Sequence, residues 1–255
     1  SKMTHEQTTF KDALEEAQRL GFAEADPTDD VEGVDAARKV VITSYLSFNQ
    51  VIKLNDVKLV GISDITLADI NAASALNYKI KLIGKGTYEN GYVNASVEPT
   101  LIHKNHQLAA VENEYNAIYV IGDAVGDTMF YGKGAGSLAT GSAVVSDLLN
   151  VALFFESNLH TLPPHFELKT EETKEMMDGA EPVVIQEKSN YYIVISHSHK
   201  SLEKVEYDIK KKLPFHKSLQ LVERDQDTYA IIVTGIETSP EKVLNQSGFN
   251  VKKVY

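Results

Sequence analysis

The chain has 255 residues, of which 43% are apolar and 24% charged, so it is long enough for two modest domains with cores of their own. Its net charge of −11 argues against a nucleic-acid partner, because phosphate binding needs concentrated lysine and arginine. The absence of cysteine excludes disulfides and thiolate metal sites and fits a reducing cytoplasm.

A helix is predicted close to the start of the chain. Thr8 or Thr9 can cap it, and apolar residues recur at helical spacing from Phe10 onward. Gly21 is expected to end this helix.

The segment from Gly21 to Lys39 contains a dense group of acidic residues. They are Glu24, Asp26, Asp29, Asp30, Glu32 and Asp35. Asp26-Pro27 and the residues up to Gly33 indicate an irregular loop, and the alanine-rich, apolar pattern from Val34 predicts a helix. Asp35 and Lys39 then stand four apart on one helical face, so an acid and an amine are directed to one place.

Two other interpretations of this segment are a purely structural role and calcium binding. An acidic loop could simply cap a helix, with Asp35 and Lys39 forming a surface ion pair that contributes under about 1 kcal/mol. A calcium loop is disfavoured, because Val31 stands where such a loop needs glycine.

The pattern up to residue 131 predicts a layered α+β unit with a mixed or antiparallel sheet and helices on one side. Asn90-Gly91 is a strong hairpin signal between two strands. The other elements are a buried strand at 57–62, a helix capped by Thr66 that runs to about residue 75, a strand from 79, and strands at 93–101, 117–121 and 127–131. An open sheet of this kind suits a dimer interface.

A glycine-rich loop, 132–137, precedes a predicted helix at 139–155. It could bind a phosphate at the helix N-terminus or form a tight turn, and its spacing fits neither the P-loop nor the Rossmann fingerprint. The apolar stretch 143–155 contains Ser and Asp and is shorter than a membrane span, so neither a membrane segment nor a signal peptide is predicted.

The proline-bearing, polar stretch 156–186 predicts a linker, after which 187–255 forms a second domain. The order of its predicted elements is βαββαβ, the ferredoxin-like plan. The histidines lie in predicted loops without acidic or thiol partners at ligand spacing, so no metal site is predicted.

The sequence GFAEADPTDDVEGVDAARK closely resembles the substrate-site segment of homoserine dehydrogenases. The similarity continues through VKLVGISDIT (57–66), KIKLIG (79–84), GDAVG (122–126) and YGKGAGSLATGSAVVSD (131–147), in the order that this family shows. It covers about residues 1–155, which we assign to a substrate-binding and dimerisation domain.

The resemblance implies an NAD(P)-dependent oxidoreductase that interconverts L-aspartate 4-semialdehyde and L-homoserine in threonine, methionine and isoleucine biosynthesis. Lys39 matches the family's proton donor, and a donor is needed because hydride transfer to an aldehyde leaves a developing alkoxide. Glu24 and Asp35 match substrate-binding residues, with Asp29 and Asp30 around the same pocket. Gly21 and Gly136 match positions that approach the cofactor or substrate.

The family's N-terminal Rossmann signature, G-x-G-x-x-G, is absent, so we expect a fragment that is nearly inactive alone, with NADP or NAD held elsewhere. The last domain resembles an ACT module, although 197–200 reads His-Ser-His-Lys where such modules carry aspartate and glycine. A threonine effector and a homodimer or higher oligomer are expectations from the resemblance. The alternative function is an amino-acid-sensing or assembly module without its own chemistry.

Overall fold

The computed structural model describes residues 2–21, 23–134, 136–156, 189–196, 201–213, 218–226, 228–236, 240–246 and 249–254. The linker predicted at 156–186 lies outside these residues apart from residue 156, and so does the loop 197–200. In the described parts, four α-helices precede the first strand, and several strands then follow one another as hairpins, so helices and strands are largely segregated, as in an α+β chain.

The helices are bounded as follows: α1 Lys2–Glu6, α2 Phe10–Arg19, α3 Thr28–Val31, α4 Val34–Phe48, α5 Leu67–Ala75, α6 Ser137–Glu156, α7 Leu202–Lys212 and α8 Pro240–Gln246. Thr9 caps α2 by accepting a hydrogen bond from the Asp12 amide, as predicted. A separate helix, α1, precedes it, because the chain turns at Gln7 with a positive φ of 53°.

The strands are β1 Lys58–Leu59, β2 Tyr78–Glu89, β3 Tyr92–His103, β4 Tyr115–Gly122, β5 Gly126–Lys133, β6 Ser189–Ser196, β7 Ser218–Asp225, β8 Thr228–Ile236 and β9 Asn250–Val254. The first sheet has the order β1-β3-β2, with β1 parallel to β3 and β2 antiparallel to it. The turn between β2 and β3 is the predicted Asn90-Gly91 hairpin, with φ values of 51° and 91°. The first sheet is therefore mixed, as predicted.

Helix α4 packs on one face of this sheet. Ala37 and Val40 join Ile52, Val57 and Val97 in a buried cluster. The approach is close because β2 carries glycine at position 84, where a Cβ atom would overlap the Val40 side chain. Helix α4 contacts both β2 and β3, and helix α5 also contacts β2.

Three details of the sequence-based expectation were wrong. The buried strand expected at 57–62 is a two-residue exposed strand, β1, and Val57 is the only buried residue between 57 and 62. The loop expected at 26–33 contains the short helix α3. Strands β4 and β5 pair only with each other, so the described strands of the first unit form two sheets.

Helix α6 and the β4–β5 hairpin expose many apolar side chains. The exposed fractions are 88% for Leu138, 77% for Ile121 and Val125, 71% for Phe155, and 64% for Phe130 and Leu148. At 20 residues α6 is longer than the stretch counted in the sequence, and by length and composition alone its residues 137–155 could cross a membrane. A single such helix is weak evidence for a membrane segment.

The C-terminal elements follow the predicted order and build a sheet with strand order β7-β8-β6-β9, antiparallel throughout. One face of this sheet is covered by residues of α7 and α8, including Val205, Ile209 and Leu244. The other face places Tyr192, Val194 and other strand residues against α5 of the first unit. The two faces alternate along β6, as a strand buried on both sides requires.

Candidate functional site

The acidic segment is folded by a tight turn between α3 and α4. Gly33 stands at this turn with a φ of 82°, and a Cβ atom there would lie 2.9 Å from Val97 Cγ1. Glycine tolerates both the positive φ and the close approach. Helix α3 is therefore held against the start of α4, which brings Asp29 and Asp30 next to the turn that carries Asp35.

Asp35 and Lys39 form an ion pair on the solvent side of α4. The Lys39 Nζ atom lies 2.7 Å from Asp35 Oδ2, and the lysine and aspartate side chains are 60% and 45% exposed. The opposite face of the helix buries Ala37, Val40 and Ser44. The predicted pairing of acid and amine is thus present, and both groups are accessible to a ligand.

The two adjacent aspartates of α3 differ in their surroundings. The Arg38 guanidinium lies 2.5 Å from the Asp29 carboxylate, so this acid is already neutralised in part. Asp30 is exposed and makes no ion pair within the part of the chain that the structure describes. Asp30 is therefore the more available of the two for a cationic ligand.

Asp26 has a local structural role at the start of α3. Its carboxylate accepts hydrogen bonds from the Thr28 hydroxyl at 2.6 Å and the Thr28 amide at 3.1 Å. Both bonds lower the pKa of Asp26, and the bond from the hydroxyl has the larger effect. Such a turn is typical of aspartate ahead of a helix.

Glu24 lies in the irregular segment after α2. Its main chain is fixed by Gln18, whose amide Nε2 donates to the carbonyl oxygens of Glu24 at 2.9 Å and Ala25 at 3.2 Å. Glu24 is exposed, and a Cβ atom at Gly21, which follows α2, would meet open space. No described hydrogen bond or ion pair joins Glu24 to Lys39.

Gly136 stands directly before α6, and a Cβ atom at this position would have no described atom within 4 Å. No described hydrogen bond or ion pair joins Gly136 to the α3–α4 segment. The main chain at Gly136 is therefore open on the side where a side chain would lie. Within the described residues there is also no cluster of three His, Cys, Asp or Glu side chains that could hold a metal ion.

Glu32 is the residue of this segment whose role the sequence did not reveal. Its carboxylate accepts a short hydrogen bond from Ser63 Oγ, and the Ile62 amide donates to the Val31 carbonyl at 3.0 Å. Glu32 also lies against Gly61, where any side chain would overlap it. The loop between β1 and α5 is thereby fastened to the α3–α4 turn, through contacts about 30 residues apart that no local pattern encodes.

Comparison with known proteins gives the same family along the chain. The family described as "Homoserine dehydrogenase" matches residues 1–149, and the family described as "Homoserine dehydrogenase C-terminal domain" matches residues 188–255. The homoserine dehydrogenase of Bacillus subtilis is 53% identical over 151 residues, which are 59% of this chain and 35% of that protein. That of Pseudomonas aeruginosa is 44% identical over 165 residues, 65% of this chain and 38% of that protein.

Solved structures extend the similarity to the whole chain. A crystal structure of Staphylococcus aureus homoserine dehydrogenase at pH 7.5 is 70% identical and superposes with a TM-score of 0.84, over 100% of this chain and 60% of that one. The homoserine dehydrogenase of Thiobacillus denitrificans is 33% identical with a TM-score of 0.75, over 97% of this chain and 56% of that one. The matched regions of this chain span only 35% of the Bacillus subtilis protein and 38% of the Pseudomonas aeruginosa protein. By the family matches and these similarities, the chain belongs to the homoserine dehydrogenase family.

Proposed function

We propose that this chain is the substrate-binding and C-terminal part of an NAD(P)-dependent homoserine dehydrogenase, which interconverts L-aspartate 4-semialdehyde and L-homoserine. The observation that carries the proposal is the accessible Asp35–Lys39 pair on α4, at 2.7 Å, with the acidic helix α3 packed beside it. Family membership supports the same reaction. The sensing or assembly role is not favoured as the function of the first unit.

Lys39 is the proposed proton donor of this reaction. Its ammonium group is accessible, and it can place a positive charge and a proton at the substrate oxygen, where negative charge develops. Asp35 restricts the position of that ammonium group through the ion pair. The packing of α4 on β2 and β3 supports both side chains.

Binding of the amino-acid substrate is proposed for the carboxylates around Lys39. Glu24 and Asp35 would take the substrate ammonium and hydroxyl groups, because ionised carboxylates form strong, charge-assisted hydrogen bonds. Asp30 is available for the same pocket, whereas Asp29 acts through its ion pair with Arg38. We thus propose different roles for Asp29 and Asp30, although the sequence alone gives both the same role around the pocket.

The dinucleotide cofactor is proposed to be bound only in part by this chain. The chain has no G-x-G-x-x-G fingerprint, and Gly21 and Gly136 offer only open main-chain positions. We propose that both approach a nucleotide held by another part of a longer protein. The choice between NADP and NAD is proposed to lie with the part of the protein that contacts the adenosine ribose.

The division into domains follows the same proposal: 1–155 binds substrate and dimerises, 156–186 links, and 187–255 is an ACT-type module with a ferredoxin-like fold. The βαββαβ order and the strand order β7-β8-β6-β9 support that fold. A bound threonine effector is proposed for this module by analogy alone. Calorimetric titration of the chain with threonine tests it, and absent heat leaves the module a structural role.

A homodimer or higher homo-oligomer in the cytoplasm completes the proposal. The β4–β5 hairpin exposes Ile118, Ile121 and Phe130, more apolar surface than a monomer commonly leaves to water. Pairing of two such surfaces would bury it. Sedimentation equilibrium of the chain and of a Phe130→Ser/Ile121→Ser variant tests this, with dissociation of the variant as the expected result.

The proposed activity is tested by homoserine oxidation coupled to reduction of NADP or NAD. We expect turnover from the chain extended upstream through the dinucleotide-binding half of its relatives, and almost none from residues 1–255 alone. Replacing Lys39 by Ala in the extended protein should abolish most of this turnover. Normal turnover in that variant would contradict the assignment of Lys39.

A further inference from the structure

The N-terminus of α5 contains a fully buried acid. Asp69 has no exposed surface and stands three residues after the cap, Thr66. The Asp69 carboxylate accepts from the Thr66 amide at 3.0 Å and from the Thr66 hydroxyl at 2.6 Å, which completes a capping box. A surface capping box needs no further partner, but a buried carboxylate does.

The further partners come from the C-terminal unit. Arg224 Nε donates to Asp69 Oδ1 at 2.7 Å, and Arg224 Nη2 donates to the Thr66 hydroxyl at 2.9 Å. The Tyr192 hydroxyl donates to the same Asp69 oxygen at 3.1 Å. Only 11% of the Arg224 side chain is exposed. A residue 155 positions away thus completes the hydrogen bonding of the α5 cap.

A β-bulge lies where Arg224 joins this cluster. The register of β7 against β8 shifts between Glu223 and Asp225, so Arg224 is the extra residue of its strand. Bulges commonly redirect a side chain at the end of a pairing. The guanidinium is further held by Asp225 and by Thr228, whose hydroxyl accepts from Nη1 at 3.2 Å.

An apolar contact surrounds the polar cluster. Ala72 of α5 packs with Tyr192, Val194, Ala230 and Ile232 of the C-terminal sheet, all of them buried. Because Asp69 is fully buried and only 11% of the Arg224 side chain is exposed, the hydrogen bonds between them lie largely out of contact with water, which strengthens them. The pair thus fixes how the C-terminal sheet sits on the first helix turn of α5.

The α5 cap is also close in sequence to the candidate site. Residues 61–63 precede Thr66 and contact the α3–α4 turn through the Ser63–Glu32 and Ile62–Val31 hydrogen bonds. Glu32 stands two residues after Asp30 in the chain. A shift at the α5 cap would therefore move the support of the acidic segment.

We propose that Arg224 is a positioning residue: by completing the α5 cap it lets the C-terminal unit hold the loop 61–66, and through Glu32 the α3–α4 turn, in the conformation that binds substrate. The inference rests on the proposed function in so far as that turn is the substrate side of an active site. The coupling of Arg224 to the α3–α4 turn can be tested independently of the reaction.

The test compares two variants by hydrogen exchange and mass spectrometry on the 255-residue chain. Arg224→Lys keeps the charge but loses the forked contact to Asp69 and Thr66, and Arg224→Met with Asp69→Asn removes both charges together. Arg19→Lys is the control, since Arg19 is 70% exposed and pairs only with Glu16 among the described ion pairs. We expect exchange in peptides covering 60–66 and 28–35 to rise about tenfold in both variants and to stay unchanged in the control.

Three results would overturn the proposal. The first is unchanged exchange in residues 28–35, and the second is a rise in exchange confined to α5. The third is a uniform rise in exchange that includes β6 and β8, because a merely structural contact predicts that result. In the extended protein, Arg224→Lys should raise the KM for homoserine several-fold with a smaller effect on kcat. If the extended protein shows no homoserine oxidation at all, the proposed function fails while the exchange result still decides the coupling.

Discussion

The Asp35 carboxylate and the Lys39 ammonium group lie 2.7 Å apart on consecutive turns of α4, both accessible to solvent. An exposed pair of this kind contributes little to folding, about 0 to 1 kcal/mol. The proposed role of the pair in ligand binding therefore predicts that its loss has a large effect on activity and a small effect on stability. This distinction can be measured.

Lys39→Ala in the extended protein should lower kcat/KM for homoserine at least about 100-fold, because a positioned proton donor contributes a factor of that order or more. The melting temperature should change little, since the side chain is exposed. Lys11→Ala is the matched control, because Lys11 is an exposed lysine in a helical ion pair at 83% exposure. Equal losses in both variants would contradict a specific role of Lys39.

Asp35→Asn keeps the shape of the side chain but removes the negative charge beside Lys39. We expect the KM for homoserine to rise about tenfold or more, because a charge-assisted contact to the substrate is lost, while the free energy of unfolding changes by under about 1 kcal/mol. Steady-state kinetics and urea unfolding of the same preparation measure both quantities. A variant with normal KM and reduced stability would show that Asp35 has a structural role instead.

The Asp69 cluster predicts a defined dependence of stability on pH. Burial by itself would raise the pKa of Asp69, but the hydrogen bonds from Arg224 and Thr66 outweigh it and hold the pKa at about 2, below the ordinary 3.8. Because the folded pKa is the lower one, the ionised carboxylate stabilises the folded state above about pH 4. That contribution, about 2 kcal/mol, is lost as the pH falls from about 4 to about 2.

Urea unfolding at about pH 5 and about pH 2.5 measures this change in the free energy of unfolding. The same experiment on Asp69→Asn, which cannot titrate at this position, serves as the control. The wild-type chain should lose roughly 1.5 kcal/mol more than the variant over this range, most of the full contribution. Equal losses in the two proteins would show that other carboxylates account for the effect.

Gly84→Ala should displace α4, because the new Cβ atom would overlap the Val40 side chain, which is branched and cannot turn away. We expect a destabilisation of about 1–3 kcal/mol, as for other overpacked cores. Gly141→Ala is the control, because a Cβ atom there meets nothing within 4 Å and alanine favours a helix. Thermal unfolding of the two variants measures the difference, and equal stability would contradict the close packing of α4 on β2.

Local signals predicted those parts of the fold that depend on neighbours in sequence. The Thr9 and Thr66 caps, the Asn90-Gly91 hairpin and the spacing of Asp35 and Lys39 are all confirmed. In each case a single side chain or dipeptide satisfies the backbone, or meets its partner, within a few residues. The order of helices and strands in the C-terminal unit was also predicted correctly, because each of these elements has its own local pattern.

The contacts that the sequence did not predict join residues far apart along the chain. The T-x-x-D pattern at Thr66 and Asp69 indicates a capping box but not that this acid is buried against Arg224, because that contact depends on how the C-terminal sheet sits on α5. The Ser63–Glu32 bond, which joins residues 31 positions apart, has the same origin. Docking of preformed elements, unlike capping, leaves no short pattern in the sequence.

The measurement that tests the central claim most directly is homoserine-dependent reduction of NADP or NAD, followed by absorbance of the reduced nicotinamide. It is made on the chain extended upstream through the dinucleotide-binding half of its relatives and on the same protein with Lys39→Ala. We predict clear turnover in the first and a loss of at least about 100-fold in the second. Absence of turnover in the first protein, or undiminished turnover in the second, would contradict the proposal that α4 carries the proton donor of a homoserine dehydrogenase.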